Sequence, residues 1–368
     1  MKNRGSVRKK RTVMLSAALL AVLLTGCGRP AEDPAGERLK IVCTIFPEYD
    51  WVKQILGDTA KEAELTLLMK NGTDLHSYQP TIWDMQKIAE ADLFIHVGGE
   101  SDFWVEDALA NTENPHRKVL NLMEILEDSV KEEAHMEGMQ TERGGDRAEA
   151  LFHEGLHGED KESGREELHG EEKGSGHEAH AEGEAEYDEH VWLSLGNAQE
   201  VCRAVTEVLG DLRTQERTVY EQNCREYCEK LQALDGAYRQ AVGQAQEPVL
   251  LFGDRFPFRY LADDYGITCY AAFSGCSAET EAGFSTITFL AEKAGELRLP
   301  AVLAIDGSDG RIAGTIAGNT DTGDQKVLVL DSMQSVSGRQ IEAGENYLSV
   351  MERNLEILKE ALAVRGGV

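Results

Sequence analysis

Two short stretches of the chain place an imidazole two residues after a carboxylate. They are Asp74-Leu75-His76-Ser77-Tyr78-Gln79-Pro80 and Asp188-Glu189-His190-Val191-Trp192. Neutral imidazoles joined by one or two carboxylates form a donor set for zinc, and harder oxygen ligands admit manganese as well. Asp74 and Asp188 are better suited to orienting loop and ring than to binding the ion, because a ligating histidine needs its second nitrogen held. One loop histidine is an ordinary surface residue. Two in matching local contexts, far apart in the chain, form a pattern that points to metal. Asp254, Asp306 and Asp331 each fall just after an apolar run, and ligands of open parallel sheets bind beyond the carboxyl ends of strands.

The hydrophobic pattern supplies a scaffold for these groups. Strand-like runs at residues 39–46, 63–69, 92–97 and 118–122 alternate with helix-period segments at 47–56, 81–91 and around Phe103 to Leu109. His76 sits on a loop pinned at both ends: Asn71-Gly72 closes the strand with a turn pair, Pro80 delays the next helix, and Thr81 stands at its N-cap. Residues 195–246 read as a long linking helical region, interrupted near Gly210 and capped by Asn197. The alternation then returns, with strands at 248–252, 267–272, 301–305 and 326–330. Helices are expected at 256–264, 283–293, 312–318 and 342–364. This order predicts an α/β fold of two lobes, 39–194 and 247–368, each a small, mostly parallel sheet flanked by helices.

A chain of 368 residues can bury two ordinary cores. Its net charge of −29 argues against nucleic acid and anionic bilayer surfaces as partners. Much of that acidity lies in residues 127–187, which also carry His135, His153, His157, His169, His177 and His180. With almost no aliphatic content the segment cannot offset chain entropy, so it reads as a disordered insertion whose imidazoles collect divalent ions weakly. At the start, Lys2, Arg4, Arg8, Lys9, Lys10 and Arg11 precede an apolar run from Val13 to Leu24, a signal-peptide pattern over 1–26. Leu24-Thr25-Gly26-Cys27 has the order of a lipobox, which predicts lipidation of Cys27, a flexible tether over 27–38 and an extracytoplasmic chain anchored to the cell membrane. The remaining cysteines (Cys43, Cys202, Cys224, Cys228, Cys269 and Cys276) are too scattered for a disulfide framework. Cys224 and Cys228, four apart on a predicted helix, read first as buried apolar residues.

Taken together, Asp74-x-His76-x-Tyr78-x-Pro80, Asp188-x-His190-x-Trp192, the acidic His-rich segment between them and the closing Tyr347-x-x-x-Met351-x-x-Asn354 resemble the metal-binding receptors of bacterial zinc and manganese ABC importers. The resemblance covers nearly the whole chain after the signal. It implies two lobes joined by one long helix, a divalent ion (Zn2+, with Mn2+ the alternative) in the cleft, and delivery by a monomeric receptor to a membrane permease. Carried over residue by residue, His76 and His190 match the two imidazole ligands, and Asp331 matches a carboxylate ligand or near-ligand. Where the family places His or Glu after the first strand of the second lobe, this chain has Arg255-Phe256-Pro257-Phe258-Arg259-Tyr260. A guanidinium cannot bind a cation, so Asp254 is the expected substitute, with Glu281, Cys276 or an insertion histidine behind it.

Two other classes compete. A secreted zinc hydrolase is disfavoured by the lack of His-Glu-x-x-His and Gly-x-Ser-x-Gly patterns, so the chain is expected not to be an enzyme. A surface metal buffer would place the work in the insertion.

Overall fold

The structure is a computed structural model that describes residues 38–70, 72–140, 186–277 and 281–363. The predicted signal peptide, Cys27, His153, His157, His169, His177 and His180 lie outside the described residues.

Two four-stranded sheets organise the chain. The first contains β1 (Leu39–Cys43), β2 (Ala63–Leu67), β3 (Leu93–His96) and β4 (Lys118–Asn121) in the order β2-β1-β3-β4. The second contains β5 (Val249–Phe256), β6 (Thr268–Ser274), β7 (Ala301–Ile305) and β8 (Lys326–Leu330) in the order β6-β5-β7-β8. All pairings are parallel. Parallel sheets need both faces covered, and the central β3 and β7 are buried along their whole length. The outer β4 and β8 leave Val119, Val327 and Val329 partly in solvent. In each sheet the chain changes direction between the two inner strands, which opens a crevice at their carboxyl ends.

The helices are α1 (Phe46–Leu56), α2 (Ile82–Glu90), α3 (Trp104–Asn111), α4 (Leu122–Ile125), α5 (Leu195–Leu212), α6 (Arg217–Val242), α7 (Arg259–Tyr265), α8 (Phe284–Glu296), α9 (Arg311–Gly318), α10 (Gly338–Glu342) and α11 (Tyr347–Ala361). The linking region is therefore two packed helices rather than one. It breaks after Leu212, beyond Gly210, and Ser194 caps it by accepting from the Asn197 N–H at 3.1 Å. The sequence favoured Asn197 as the cap; the serine three residues earlier has the extended backbone that a cap needs. The terminal helix also divides, at Gly344 (φ 99), with Asn346 capping α11. Strand β5 runs on to Phe256 through a register shift between Phe252 and Arg255, which delays the following helix to Arg259. Gly253 permits it, because a Cβ there would lie 2.4 Å from Ala313 Cα.

The first part of the predicted insertion departs most from expectation. Residues 130–140 run as a strap from the first lobe onto the second. Glu132 pairs with Tyr187, Lys131 N donates to Tyr260 Oη at 3.1 Å, and Gln140 N donates to Ala272 O of β6 at 2.9 Å. Met136 and Met139 supply the apolar contact that composition alone understated.

One hydrophobic core crosses both lobes. Helix α6 packs on both α1 and α11, which also touch each other. Trp51, Trp192, Tyr238 and Tyr347 are fully buried at the junction, with the Trp51 and Tyr347 rings edge to face at 5.2 Å. Three of the four polar ends find partners: Tyr347 Oη donates to Trp192 O (2.7 Å), Trp192 Nε1 to Ser332 O (2.9 Å), and Tyr238 Oη to Met351 O (2.7 Å), while Trp51 Nε1 is buried without one. Tyr347→Phe leaves the Trp192 carbonyl without that donor, a loss of about 1–3 kcal/mol. Urea unfolding should show a lower midpoint with an unchanged slope; an unchanged midpoint would remove the bond's structural role.

Candidate metal centre

His76 and His190 reach one point from separate loops. Asp74 caps the short 3-10 turn Leu75–Ser77, accepting from His76 N at 3.0 Å, so the ring leaves a fixed backbone. His190 is fully buried just before the turn Val191–Leu193, where Asp188 Oδ1 accepts from both its backbone N and its Nδ1, each at 2.9 Å. His76 Nδ1 lies 2.7 Å from Ser101 Oγ and 3.7 Å from Glu189 Oε2. With an acceptor beside each Nδ1, the lone pair of each ring is assigned to Nε2. Those two Nε2 atoms are 3.3 Å apart.

Two nitrogens each ~2.0–2.1 Å from a tetrahedral ion stand roughly 3.3–3.4 Å apart, which is the spacing found here. Facing lone pairs repel unless a positive charge lies between them. A proton is a poor occupant at neutral pH: burial, then the neighbouring His190, lower His76 from its ordinary 6.5 to about 3. Asp188 Oδ2 and Glu189 Oε2 are buried without a hydrogen-bond partner, and burial raises the Glu189 carboxyl, so a cation beside them would meet two oxygens with spare acceptor capacity. Oriented to donate to both Asp74 oxygens (3.0 and 3.1 Å), the Gln334 amide brings its own oxygen to 2.7 Å from His190 Nε2, a further lone pair at the same point that only a proton or a cation there offsets. Met333 in the left-handed region, φ 63, turns the chain ahead of it.

The third converging donor is a thiol. Among the described residues, His76, His190 and Cys276 form the group of three whose ligand atoms all lie within 4.8 Å of one another. Cys276 rides on the loop after β6, tied by its N–H to Glu133 Oε1 of the strap at 3.0 Å. Its neighbour must be glycine: a Cβ on Gly275 would stand 2.8 Å from Phe256 O and 3.2 Å from His190 Cε1. Burial pushes the Cys276 thiol up, and Asp188, Glu189 and Glu133 add to it, so the metal-free thiol keeps its proton and gives it up only to a bound cation.

The structure does not bring Asp254 and Asp331 into that group. Asp254 lines a cavity of about 570 Å³ beside His76, but its oxygens accept from Arg255 N (2.9 Å) and Ile305 N (3.4 Å). Asp331 accepts from Met333 N at 2.8 Å and faces Arg353 at 3.6 Å; burial, then Asp306, raise it to about 6. Asp306 is taken up by Ser332 and Ser335. Arg255 donates to Asp74 Oδ2 at 2.7 Å, and although burial raises that carboxyl, the guanidinium holds it below its usual range. His135 lies in the strap, in a separate hollow with Arg259 and Asp263. Ser101, Glu189 and Gln334 had no sequence signal beyond their neighbours; Cys276 had one, a thiol after a predicted strand.

Residues 41–361 match the family described as zinc-uptake complex component A, periplasmic (ZnuA). The chain belongs to the ZnuA family. It is 29% identical over 360 residues to the zinc-binding lipoprotein AdcA of Streptococcus pneumoniae, covering 97% of this chain but 62% of that protein's length. It is 27% identical to the high-affinity zinc uptake system protein ZnuA of Bacillus subtilis, covering 97% and 99% of the two chains. The crystal structure of the Zn(II)-bound ZnuA-like domain of the pneumococcal AdcA superposes with a TM-score of 0.62 at 26% identity, over 88% of this chain and 99% of that one. ZnuA-family membership agrees with the two-lobed fold described above, and it makes this chain a member of a metal-binding receptor family.

The depressed His76 has a pH consequence in this ZnuA-family chain. The unfolded chain binds that proton near 6.5 and the folded chain near 3. Metal-free stability is therefore complete above 6.5 and declines as pH falls from there toward 3, because the unfolded state binds the extra proton. Thermal unfolding in chelator should show the decline in wild type and a flatter difference curve in His76→Gln. Parallel curves would mean that the ring is not desolvated as described.

Proposed function

We propose that this chain is the zinc receptor of a bacterial ABC importer, binding one ion at His76, His190 and Cys276 and handing it to a membrane permease. The observation that carries the reading is the 3.3 Å separation of the two Nε2 atoms, matched to tetrahedral zinc. Two imidazoles with a thiol favour zinc over manganese, which prefers oxygen ligands. The zinc-uptake and zinc-binding names of the relatives support the same cargo. Work of this kind is capture and release, with no reaction on a substrate. Cys27 would carry the lipid that keeps a monomeric receptor at the outer face of the membrane, close to its permease. The histidines of residues 141–185, together with His135, would collect divalent ions weakly.

Asp254 is the competing third ligand, since it lines the cavity next to His76. Competitive zinc and manganese titration of the purified chain, with metal content by mass spectrometry, decides between them. His190→Ala and Cys276→Ala should each weaken zinc binding by more than the roughly 10–100-fold expected for Asp188→Asn, while Asp254→Ala stays near wild type. Tight binding in His190→Ala would sink the receptor reading, and a large loss in Asp254→Ala would move the third ligand to that carboxylate. Deleting residues 141–185 should leave one tightly bound zinc; loss of all tight binding would make the protein a buffer. Metal-dependent turnover of peptide or ester libraries would instead make it a hydrolase.

A further inference from the structure

The α5–α6 hairpin carries a second pair of soft donors that the histidine centre does not use. Cys224 and Cys228 stand one turn apart on α6, and their sulfurs are 3.8 Å apart. Cys224 is buried and Cys228 half-buried, at the edge of a hollow of about 430 Å³ between the two helices. The sequence suggested two apolar core residues, yet one of the thiols reaches that hollow.

Two chemistries suit neighbouring thiols, and helix geometry separates them. A disulfide needs Cβ atoms about 3.5–4.5 Å apart. Residues i and i+4 of an α-helix hold theirs at about 5–6 Å, so closing the bond would distort α6 in its middle. Two thiolates shared by one tetrahedral ion at ~2.3 Å stand roughly 3.8 Å apart, which is the separation already present. The rest of the hollow fits the second chemistry. The neighbouring Cys228 thiol, and after it Arg203 and Arg225, favour the Cys224 thiolate, and solvent in the hollow completes the shell with oxygen.

We propose that Cys224 and Cys228 form a second metal site, a dithiolate that takes one thiophilic divalent cation such as Cd2+ or Zn2+ independently of the histidine centre. Binding displaces the thiol protons to solvent and forms two metal–sulfur bonds, with no change of oxidation state. Manganese, which prefers oxygen, does not occupy it.

Alkylation of the reduced full chain by N-ethylmaleimide, mapped cysteine by cysteine by mass spectrometry, tests the site in the wild-type protein. Saturating Cd2+ or Zn2+ should slow modification of Cys228 at least about tenfold, as expected when the free dithiol falls to a tenth, and Mn2+ should not. The protection should persist in His190→Ala, where the primary centre is disabled. It should vanish in Cys224→Ser, because one thiol alone does not chelate. Equal alkylation of Cys228 with and without cadmium overturns the proposal. So does full protection in a folded Cys224→Ser chain, or protection that disappears in His190→Ala.

Discussion

Two imidazole nitrogens aimed at one another inside the protein form the arrangement on which the remaining structure turns. Left alone, the pair is unfavourable: both rings are desolvated, both outer nitrogens are already committed, and the inner lone pairs face across 3.3 Å. Such an arrangement persists only where its surroundings over-determine it. Asp188 fixes one ring through two bonds, Asp74 fixes the loop of the other, and Ser101 is itself held by Glu189 at 2.8 Å. Each of these groups sits in a loop whose conformation the adjoining turn or helix start sets.

The thiol reaches this point from the other sheet, and the way it does so bears on motion. A receptor that closed by swinging two independent lobes would need a thin, polar junction. Here a single apolar core containing Trp51, Trp192, Tyr238 and Tyr347 runs through the junction, and its buried polar ends bond across it. Rearrangement is cheaper in the loop that carries Gly275 and Cys276 and in the Arg255–Asp74 pair, which is about a fifth to a quarter exposed. Entry and exit of an ion then call for side-chain and loop shifts more than for rotation of whole lobes.

Much of this was legible in the residues. The alternation of strand and helix gave both sheets, with β7 and β8 matching to the residue, because continuous apolar runs bounded by turn residues have few other uses. The two histidines announced themselves through repeated Asp-x-His spacing. The carboxylates were less legible, because a strand-end aspartate can serve backbone N–H groups as well as an ion, and in this structure Asp254 and Asp331 accept from backbone N–H groups. Cys276 was ranked low because its place depends on contacts between distant segments, namely Glu133 on its N–H and a glycine flush against His190. Residues 130–140 were hidden for a related reason: their apolar content is Val130, Ala134, Met136 and Met139, enough to pack on an existing surface and too little to give a periodic signal.

That strap has a consequence for solubility. Strand β6 lies at the margin of the second sheet, where unpaired backbone groups can template association with another chain. Gln140 occupies one of its carbonyls, and Gly138 lies flush on Phe289, with no room for a side chain between them. The strap therefore stands where a neighbouring copy would otherwise add a strand, a role in keeping the molecule dispersed that needs no metal at all.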